Sequence, residues 1–328
     1  RNPKNTKIMI SDHHTFFSDP HIADPLRWIE GNDDPMLLRE ALDTGNRQRR
    51  RERIQLLSGT FFLVLIITLS TSAEYKHLSY AAQEKTAQGL SEHITPENPI
   101  PLFPLEELSA HAYLIKFIGN PNYLIHQREW KALAPASLTK ILTAVIAVEN
   151  LSPDTQITIS ARAKLVGEKM SKSPAGESFF RDDMIRMALV ESANDVAYAL
   201  AEEIEKEKTG NPKEDVPEFM RIMNEKALQI GLANSYFKNP TGLDQDGHLA
   251  SAKDLGKLAE YIWEKHPELW KMTALPNAYA VSIEHRAYAL ENTNELIQEF
   301  PALEGGKTGL TDHAKGALIL LYPVRPSS

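Results

Sequence analysis

A serine and a lysine one helical turn apart have the residue types and spacing of a nucleophile and its base. The nucleophile motif, Ser-Leu-Thr-Lys, runs from Ser137 to Lys140 and follows Pro135, which favours a helix N-terminus at the serine. Residues three apart on a helix share one face, with Cβ atoms about 5–6 Å apart, so the Lys140 amine can reach the Ser137 hydroxyl. A serine hydroxyl needs a base to remove its proton. Lysine becomes such a base when burial or a second ammonium lowers its pKa.

The alternative for this motif is a helix-capping Ser137 beside a solvated Lys140. The run that follows Lys140, ILTAVIAV, is apolar on nearly all sides. A helix of that composition is buried at the centre of a domain. Burial of this helix end disfavours the capping alternative and supports a lysine with a lowered pKa.

A hydroxyl and an amide form a second motif, Ser192-Ala193-Asn194, between two apolar helical stretches. A turn between the helices would present both side chains. They could relay a proton to a leaving nitrogen and hydrogen-bond a substrate backbone. The alternative is an ordinary helix cap, with Asp195 at the capping-box position.

A lysine and a threonine in a glycine-rich segment form a third motif, Lys307-Thr308-Gly309, preceded by Gly305 and Gly306. A glycine-rich strand lets a substrate backbone approach closely and pair as an added strand. Lys307 and Thr308 would then hold a terminal carboxylate, and Lys307 would be the second ammonium near Lys140. A phosphate-binding loop is excluded because no G-x-x-x-x-G-K-[ST] pattern precedes a helix here.

Each motif is weak alone, but the three in this order form the set known from penicillin-binding proteins and class A β-lactamases. The segment from about 110 to 324 resembles the serine D-alanyl-D-alanine carboxypeptidases, the low-molecular-mass penicillin-binding proteins. Other segments that resemble this family are 239–243, 247–248, 251–255, 292–294 and 305–311.

The resemblance implies a role for each motif residue. Ser137 would be the acylated nucleophile and Lys140 its general base, with Ser192 and Asn194 as proton relay and substrate amide contact. The substrate would contact Lys307, Thr308, Gly309 and Leu310. The backbone N–H groups of Ser137 and Leu310 would form the oxyanion hole. The resemblance implies no metal or organic cofactor, peptidoglycan stem peptides as substrate, and β-lactams as covalent inhibitors.

The predicted fold class is α+β: a mainly antiparallel sheet with helices on both faces and the third motif on an edge strand beside the nucleophile helix. Hydrophobic patterns predict a catalytic domain over 105–328. Its expected helices span 137–149, 184–204, 217–230 and 252–265, and its expected strands span 112–118, 123–126 and 316–324. Domains of this family continue with a further strand and a C-terminal helix, so we expect the domain to be incomplete at its C-terminus.

The 20 residues 54–73 carry no charge and predict a transmembrane helix, since about 20 residues span a bilayer. Five arginines between Arg47 and Arg53 precede this run, which favours a cytoplasmic N-terminus and contact with anionic lipid. A cleaved signal peptide is the alternative, disfavoured by the 53 preceding residues. We expect a disordered cytoplasmic tail over 1–53, a proline-rich linker over 74–104, and a single-pass protein of the cytoplasmic membrane with its catalytic domain outside.

The composition of the chain excludes several kinds of functional site. The chain has 328 residues, a formal net charge of −8 and no cysteine. Disulfides, cysteine-ligated metals and thiol catalysis are therefore excluded. The acidic balance argues against nucleic acid as the main partner.

Several functions stay open within this chemistry. A D,D-endopeptidase or a β-lactamase would use the same three motifs, and a non-catalytic cell-wall-binding module could keep the fold. Class A β-lactamases also hold a glutamate in an E-x-x-L-N pattern, which is missing between Asn194 and Lys307. With Lys140 as the only evident base, we expect penicillin to acylate Ser137 and to be released slowly.

Overall fold

The computed structural model describes residues 61–69 and 109–324, which alternate short strands with helices. The α-helices of this described part are α1 Thr139–Asn150, α2 Arg181–Arg186, α3 Asn194–Thr209, α4 Pro217–Ile230, α5 Ala252–Lys265, α6 Pro267–Thr273 and α7 Leu296–Glu299. Its strands are β1 Phe61–Leu69, β2 Ala110–Phe117, β3 Tyr123–Gln127, β4 Gln156–Thr158, β5 Ser178–Phe180, β6 Asn277–Val281, β7 Ala287–Glu291, β8 Gly305–Gly309 and β9 Ala317–Val324.

The main sheet is antiparallel and has the strand order β3-β2-β1-β9-β8. The third motif lies on β8, the edge strand, where Lys307 is opposite Ile319 of β9. The pairs β4–β5 and β6–β7 form two further small antiparallel sheets. An edge strand such as β8 is the arrangement in which an extended peptide can add as another strand.

The transmembrane helix expected over 54–73 is not found, because Phe61–Leu69 forms the central strand β1. It pairs with β2 on one side and with β9 on the other. Its sequence, FFLVLIITL, is aromatic and β-branched and therefore suits a strand. Among the described residues, no helix has the length and apolar character that crossing a bilayer requires. The expected tail over 1–53, the linker over 74–104 and the rest of 54–73 lie outside the described residues.

Helix α1 forms the centre of the core, as its apolar composition predicts. Every residue from Thr139 to Ala147 is buried, and the helix packs against α3 and α4. Helix α5 packs against β1 and β2, while the 3₁₀ turn Ala136–Leu138 packs against β8 and β9. The nucleophile is thus held between the helical core and the edge of the sheet.

The face of the main sheet that is opposite the helical core has less helical cover than predicted. Leu318 and Leu320 of β9 point away from the helical core and pack with Ile297 and Leu303. Within 61–69 and 109–324, the short helix α7 is the helical cover of this face. Helices therefore lie on both faces, but unequally.

Within the predicted catalytic domain, the expected elements are largely confirmed, apart from one helix. The expected hairpin forms as β2–β3, and α4 and α5 have the predicted bounds. The helix expected over 184–204 is interrupted by a π-helical turn, Met187–Glu191, and by Ser192 in the left-handed region at φ 65°. Such π-turns insert an extra residue and often mark functional sites. The interruption presents the second motif at a bend.

Candidate active site

The turn that carries Ser137 is enclosed by backbone that requires glycine. Ala136, just before the serine, has φ 48°. A Cβ on Gly242, whose φ is +88°, would lie 1.8 Å from the Ala136 carbonyl oxygen. A Cβ on Gly309 would lie 2.8 Å from the Ser137 amide nitrogen. The third motif therefore ends directly beside the nucleophile.

Lys140 connects three parts of the chain. Its Nζ lies 2.9 Å from Ser137 Oγ, 2.6 Å from Asn194 Oδ1 and 2.6 Å from the Thr241 carbonyl oxygen. The side chain is 0% exposed. The nucleophile, the second motif and the segment around Thr241 thus meet at one nitrogen.

Three oxygens surround the Lys140 amine and match the three N–H donors of a lysine ammonium. After loss of one proton, the two remaining N–H groups can still bond to the Asn194 amide oxygen and the Thr241 carbonyl, which leaves the lone pair for Ser137. Burial lowers the pKa of the Lys140 amine to about 7. The charges of Glu168 and Asp195 oppose this shift, and that of Lys169 adds to it. Lys140 can therefore accept a proton from Ser137 near neutral pH.

The segment 239–248 supplies the Thr241 carbonyl, a site feature that sequence reasoning missed. The Asn239 Oδ1 atom accepts hydrogen bonds from the amides of Thr241 and Gly242, which fixes the turn. The Pro240 carbonyl accepts a bond from the Thr143 hydroxyl on α1. Segment 239–243 resembles the family in sequence, and its physical role is to form this turn around the Asn239 side chain.

His248 fastens the same segment to the nucleophile helix. The Lys238 amide donates to His248 Nδ1 at 3.2 Å, so the ring proton is on Nε2 and is donated to the Thr139 hydroxyl at 2.9 Å. Burial lowers the pKa of the His248 imidazole to about 4. The ring is neutral at physiological pH and serves here as a structural link.

Lys307 and Ser192 form the second pair of the site. Lys307 is buried, and its Nζ donates to Ser192 Oγ at 2.9 Å and to the Thr308 carbonyl at 2.8 Å. Burial, then the charges of Lys140 and Lys169, hold the pKa of the Lys307 amine well below its usual range. The site thus has two lysines with lowered pKa values, and each contacts one serine: Lys140 contacts Ser137, and Lys307 contacts Ser192.

Asn194 is held by backbone carbonyls of the 164–171 loop. Its side-chain Nδ2 donates to the Gly167 carbonyl at 3.1 Å, and its backbone N–H donates to the Lys169 carbonyl at 2.7 Å. The helix-capping alternative for the second motif is wrong in its geometry, because Ala193 occupies the N-cap position of α3 and Ser192 bonds to Lys307 instead. The orientation of the Asn194 amide oxygen toward Lys140 is fixed by this loop.

The hydroxyl of Thr308 has a partner that the sequence motifs do not include. Thr308 Oγ1 and Thr293 Oγ1 are 2.6 Å apart. The Thr293 amide donates to the Val190 carbonyl in the π-turn, which places Thr293 between the second and third motifs. Thr293 lies within the 292–294 segment that resembles the family, but no role was assigned to it from sequence.

Leu310, expected to supply an oxyanion-hole amide, follows the edge strand directly and is 74% exposed. The chain beyond it is tied down by Asp244. That carboxylate accepts hydrogen bonds from the Thr311 hydroxyl at 2.7 Å and from the His313 amide at 2.9 Å. Asp244 is therefore a further residue, missed from sequence, that holds the end of the third motif in place.

The structure brings together the candidate site residues of the three motifs. Ser137, Lys140 and Asn194 share one hydrogen-bonded group, Ser192 and Lys307 form a second, and Thr308 and Gly309 lie on the adjoining strand. Within the described part of the chain, no group of three or more His, Asp or Glu side chains could hold a metal ion. The chemistry that this arrangement can perform is acyl transfer through a serine activated by a lysine.

Comparison with known proteins agrees with this geometry. The family profile for D-alanyl-D-alanine carboxypeptidase matches residues 102–321. The chain is 34% identical over 201 residues to the D-alanyl-D-alanine carboxypeptidase DacF of Bacillus subtilis, with 60% of this chain and 49% of the relative covered. It is 28% identical over 231 residues to a D-alanyl-D-alanine endopeptidase of Pseudomonas aeruginosa, with 68% and 71% covered. The chain thus spans about half the length of the Bacillus relative.

Solved structures show the same architecture. The D-alanyl-D-alanine carboxypeptidase DacD of Francisella tularensis superimposes with a TM-score of 0.57 at 25% identity, with 71% of this chain and 68% of that chain covered. The DD-transpeptidase of Streptomyces K15 superimposes with a TM-score of 0.52 at 21% identity, with 64% and 87% covered, and supports the fold alone. Since the family profile covers two thirds of its residues, the chain belongs to the D-alanyl-D-alanine carboxypeptidase family.

Proposed function

We propose that this protein is a serine-type D-alanyl-D-alanine carboxypeptidase that removes the terminal D-alanine of peptidoglycan stem peptides through an acyl-enzyme on Ser137. The observation that carries the proposal is the buried Lys140 amine, 2.9 Å from Ser137 Oγ and anchored by two further acceptors. A binding module needs neither a nucleophile nor a base with a lowered pKa. No metal or cofactor takes part in the proposed reaction.

In the proposed acylation step, Lys140 takes the Ser137 proton as the oxygen attacks the carbonyl carbon of the penultimate D-alanine. The amides of Ser137 and Leu310 stabilise the negative charge on the carbonyl oxygen. The C–N bond to the terminal residue then breaks, and Ser192, bonded to Lys307, passes its proton to the leaving nitrogen. The Lys140 ammonium returns the proton it took to the Ser192 oxygen, so Lys140 is again a neutral amine before deacylation. The products are free D-alanine and a peptidyl ester on Ser137.

In the proposed deacylation step, water takes the position that D-alanine leaves. Lys140 accepts a proton from this water as it attacks the ester, and Ser137 recovers its proton when the C–O bond breaks. A penicilloyl group keeps its leaving group tethered in the site and blocks this water. With the peptide substrate, Lys140 thus acts as the base in both steps. With penicillin it acts only in the first step, because water cannot reach it in the second.

The substrate carboxylate is proposed to bind to Lys307 and Thr308 on the edge strand. The Lys307 amine and the Thr308 hydroxyl each supply a hydrogen-bond donor, and the negative carboxylate favours the ammonium form of Lys307 when it binds. Thr293, at 2.6 Å from the Thr308 hydroxyl, is proposed to accept or donate the second hydrogen bond that orients this hydroxyl. Thr293 is therefore a positioning residue for carboxylate recognition.

Thr293→Val is expected to raise KM for a D-Ala-D-Ala substrate about 2- to 10-fold with little change in kcat, because it removes the hydroxyl–hydroxyl bond that orients Thr308, and a neutral hydrogen bond is worth about 0.5–1.5 kcal/mol. Thr293→Ser should restore most of the affinity, since it keeps the hydroxyl. Steady-state kinetics of D-alanine release measure both constants. A Thr293→Val protein with unchanged KM would contradict the assignment.

The rate of Ser137 acylation is expected to rise with pH through a midpoint near 7. Below the Lys140 pKa of about 7, the lysine is an ammonium and cannot accept the proton, and above it the amine is free. Stopped-flow labelling with a fluorescent penicillin between pH 5 and pH 9, a range on the order of two units either side of that pKa, measures the profile. A flat profile over this range would contradict Lys140 as the base.

An endopeptidase that cuts cross-links is the main alternative, favoured by the similarity to the Pseudomonas endopeptidase. The two substrates differ only in the group on the leaving side of the scissile bond. Purified muropeptides, pentapeptide monomers and cross-linked dimers together, separate the two activities. Loss of one alanine from the monomers without conversion of dimers to monomers supports the carboxypeptidase.

A β-lactamase would release penicillin within seconds rather than slowly. Glu168, a loop carboxylate whose charge acts on Lys140, precedes the second motif and is the side chain that could act as a second base. Mass spectrometry of the penicilloyl adduct over time is expected to show slow release that Glu168→Gln leaves unchanged. Rapid turnover that is abolished by Glu168→Gln would favour the β-lactamase.

The proposed substrate is found outside the cytoplasmic membrane, so we propose that the catalytic domain acts there. Protease added to intact spheroplasts should digest this domain. A domain that is protected until the cells are lysed would place it on the cytoplasmic side and would argue against peptidoglycan as the substrate.

A further inference from the structure

A buried carboxylate beside the site is used by neither the motifs nor the proposed chemical steps. Asp195 follows Asn194 directly and is 0% exposed. One of its oxygens accepts from the Ser171 amide at 2.8 Å. The other accepts from the Ser171 hydroxyl and from Lys164 Nζ, both at 2.5 Å. The capping-box alternative would keep this residue at the start of α3, whereas its carboxylate binds the segment from Lys164 to Ser171.

Lys164 and Ser171 close the 164–171 loop, defined as the residues from Lys164 to Ser171. Lys164 Nζ also donates to the carbonyl and hydroxyl oxygens of Ser171, each at 3.0 Å. The two ends of the loop are therefore tied to each other and to Asp195. The middle of the loop supplies the Gly167 and Lys169 carbonyls that hold Asn194.

We propose that the ion pair between the half-buried Lys164 and the buried Asp195 is a positioning device for acylation, which fixes the 164–171 loop so that Asn194 holds the Lys140 amine against Ser137. The inference rests on the proposed function and deepens it. Asn194 is bound by the loop on one side and binds Lys140 at 2.6 Å on the other. A loop released from Asp195 would no longer orient the amide.

The ion pair also sets the charge around Lys140. The charged groups that face this amine are Glu168 and Lys169 from the loop, Asp195 from α3 and Lys307 from β8, while the neutral His248 lies behind Thr139. Around Asp195 itself lie Lys164 and Glu191. The Asp195 charge favours the ammonium form of Lys140. The adjacent Lys164 ammonium counteracts that charge, so its removal should make Lys140 harder to deprotonate.

The test compares the rate and pH profile of fluorescent-penicillin acylation in full-length variants. Lys164→Met is expected to slow acylation about 100-fold, the loss that a misplaced catalytic group typically causes. It should also shift the midpoint of the pH profile upward. Lys164→Arg should retain the charge, the midpoint and most of the rate. The exposed pair Lys206–Glu203 on α3 provides a control, and Lys206→Met should change nothing.

The double variant Lys164→Met/Asp195→Asn keeps the test valid if Lys164→Met is unstable. Without the buried charge it should fold, and its midpoint should return to or below the wild-type value. A folded Lys164→Met protein with wild-type rate and midpoint would overturn the inference. So would a slow variant whose midpoint stays unchanged in both the single and the double form. A folded wild type that penicillin does not label would instead overturn the proposed function.

Discussion

Lys140→Met is expected to slow acylation of Ser137 by about 10²–10⁴-fold, the contribution typical of a general base. The loss follows from the geometry, since Lys140 Nζ, the proposed base, lies 2.9 Å from Ser137 Oγ. The measurement is the pseudo-first-order rate of labelling by a fluorescent penicillin. Ser137→Ala serves as the unlabelled reference.

Lys140→Arg distinguishes a base from a mere positive charge. An arginine stays protonated in proteins and cannot accept the serine proton. The variant should therefore lose as much acylation rate as Lys140→Met. If it retained the wild-type rate, Lys140 would act through its charge, and the remaining lysine with a lowered pKa, Lys307, would be the base to test.

Gly242→Ala is expected to destabilise the protein by about 3 kcal/mol or more and to abolish acylation. The new methyl group would lie 1.8 Å from the Ala136 carbonyl oxygen, so either the nucleophile turn or the segment carrying the Thr241 carbonyl must move. Chemical denaturation measures the stability, and penicillin labelling of the folded fraction measures the activity.

Gly210→Ala is the matched control for this substitution. Gly210 has a similar φ, +80°, but a Cβ there would meet nothing within 4 Å. Gly210→Ala should lower the free energy of unfolding by only about 1–2 kcal/mol, the cost of placing a Cβ atom in the left-handed region. Penicillin should label this variant at the wild-type rate. Equal losses at both glycines would show that the close approach of Gly242 to Ala136 has no special cost.

The contact between the proposed nucleophile and the proposed base was predictable because the two residues are close in sequence. Ser137 and Lys140 share one helix face, and the buried run after them predicts the lowered lysine pKa. The bend at Ser192 could be expected from its position between two apolar stretches, but the π-turn before it could not. A π-turn depends on one extra residue in a helix whose apolar pattern stays nearly unchanged.

The groups that orient the catalytic residues were not predictable, because they act through the backbone or across long separations. Lys140 bonds to a carbonyl 101 positions away at Thr241, and every residue type has that carbonyl. A carboxylate three residues after a serine fits the capping-box pattern, so the sequence left a local cap open as the alternative for Asp195. Its partners, Lys164 and Ser171, come from a loop that no motif marks.

The apolar segment 54–73 shows a different limit of prediction from sequence, since the secondary structure of Phe61–Leu69 was predicted wrongly. A short apolar run is consistent with a membrane helix, a buried helix or a fully buried strand, and periodicity alone does not separate them. The nine residues Phe61–Leu69 pair with two strands, β2 and β9. Both neighbours are far away in sequence, so the pairing leaves no local signal.

The most direct test of the central claim follows intact protein mass and free D-alanine together after mixing with a stem pentapeptide. The account predicts release of one D-alanine per peptide and a transient tetrapeptidyl ester on the peptide fragment that contains Ser137. It predicts neither product with Ser137→Ala. Release of D-alanine by folded Ser137→Ala, or a folded wild type that releases none, would contradict the account.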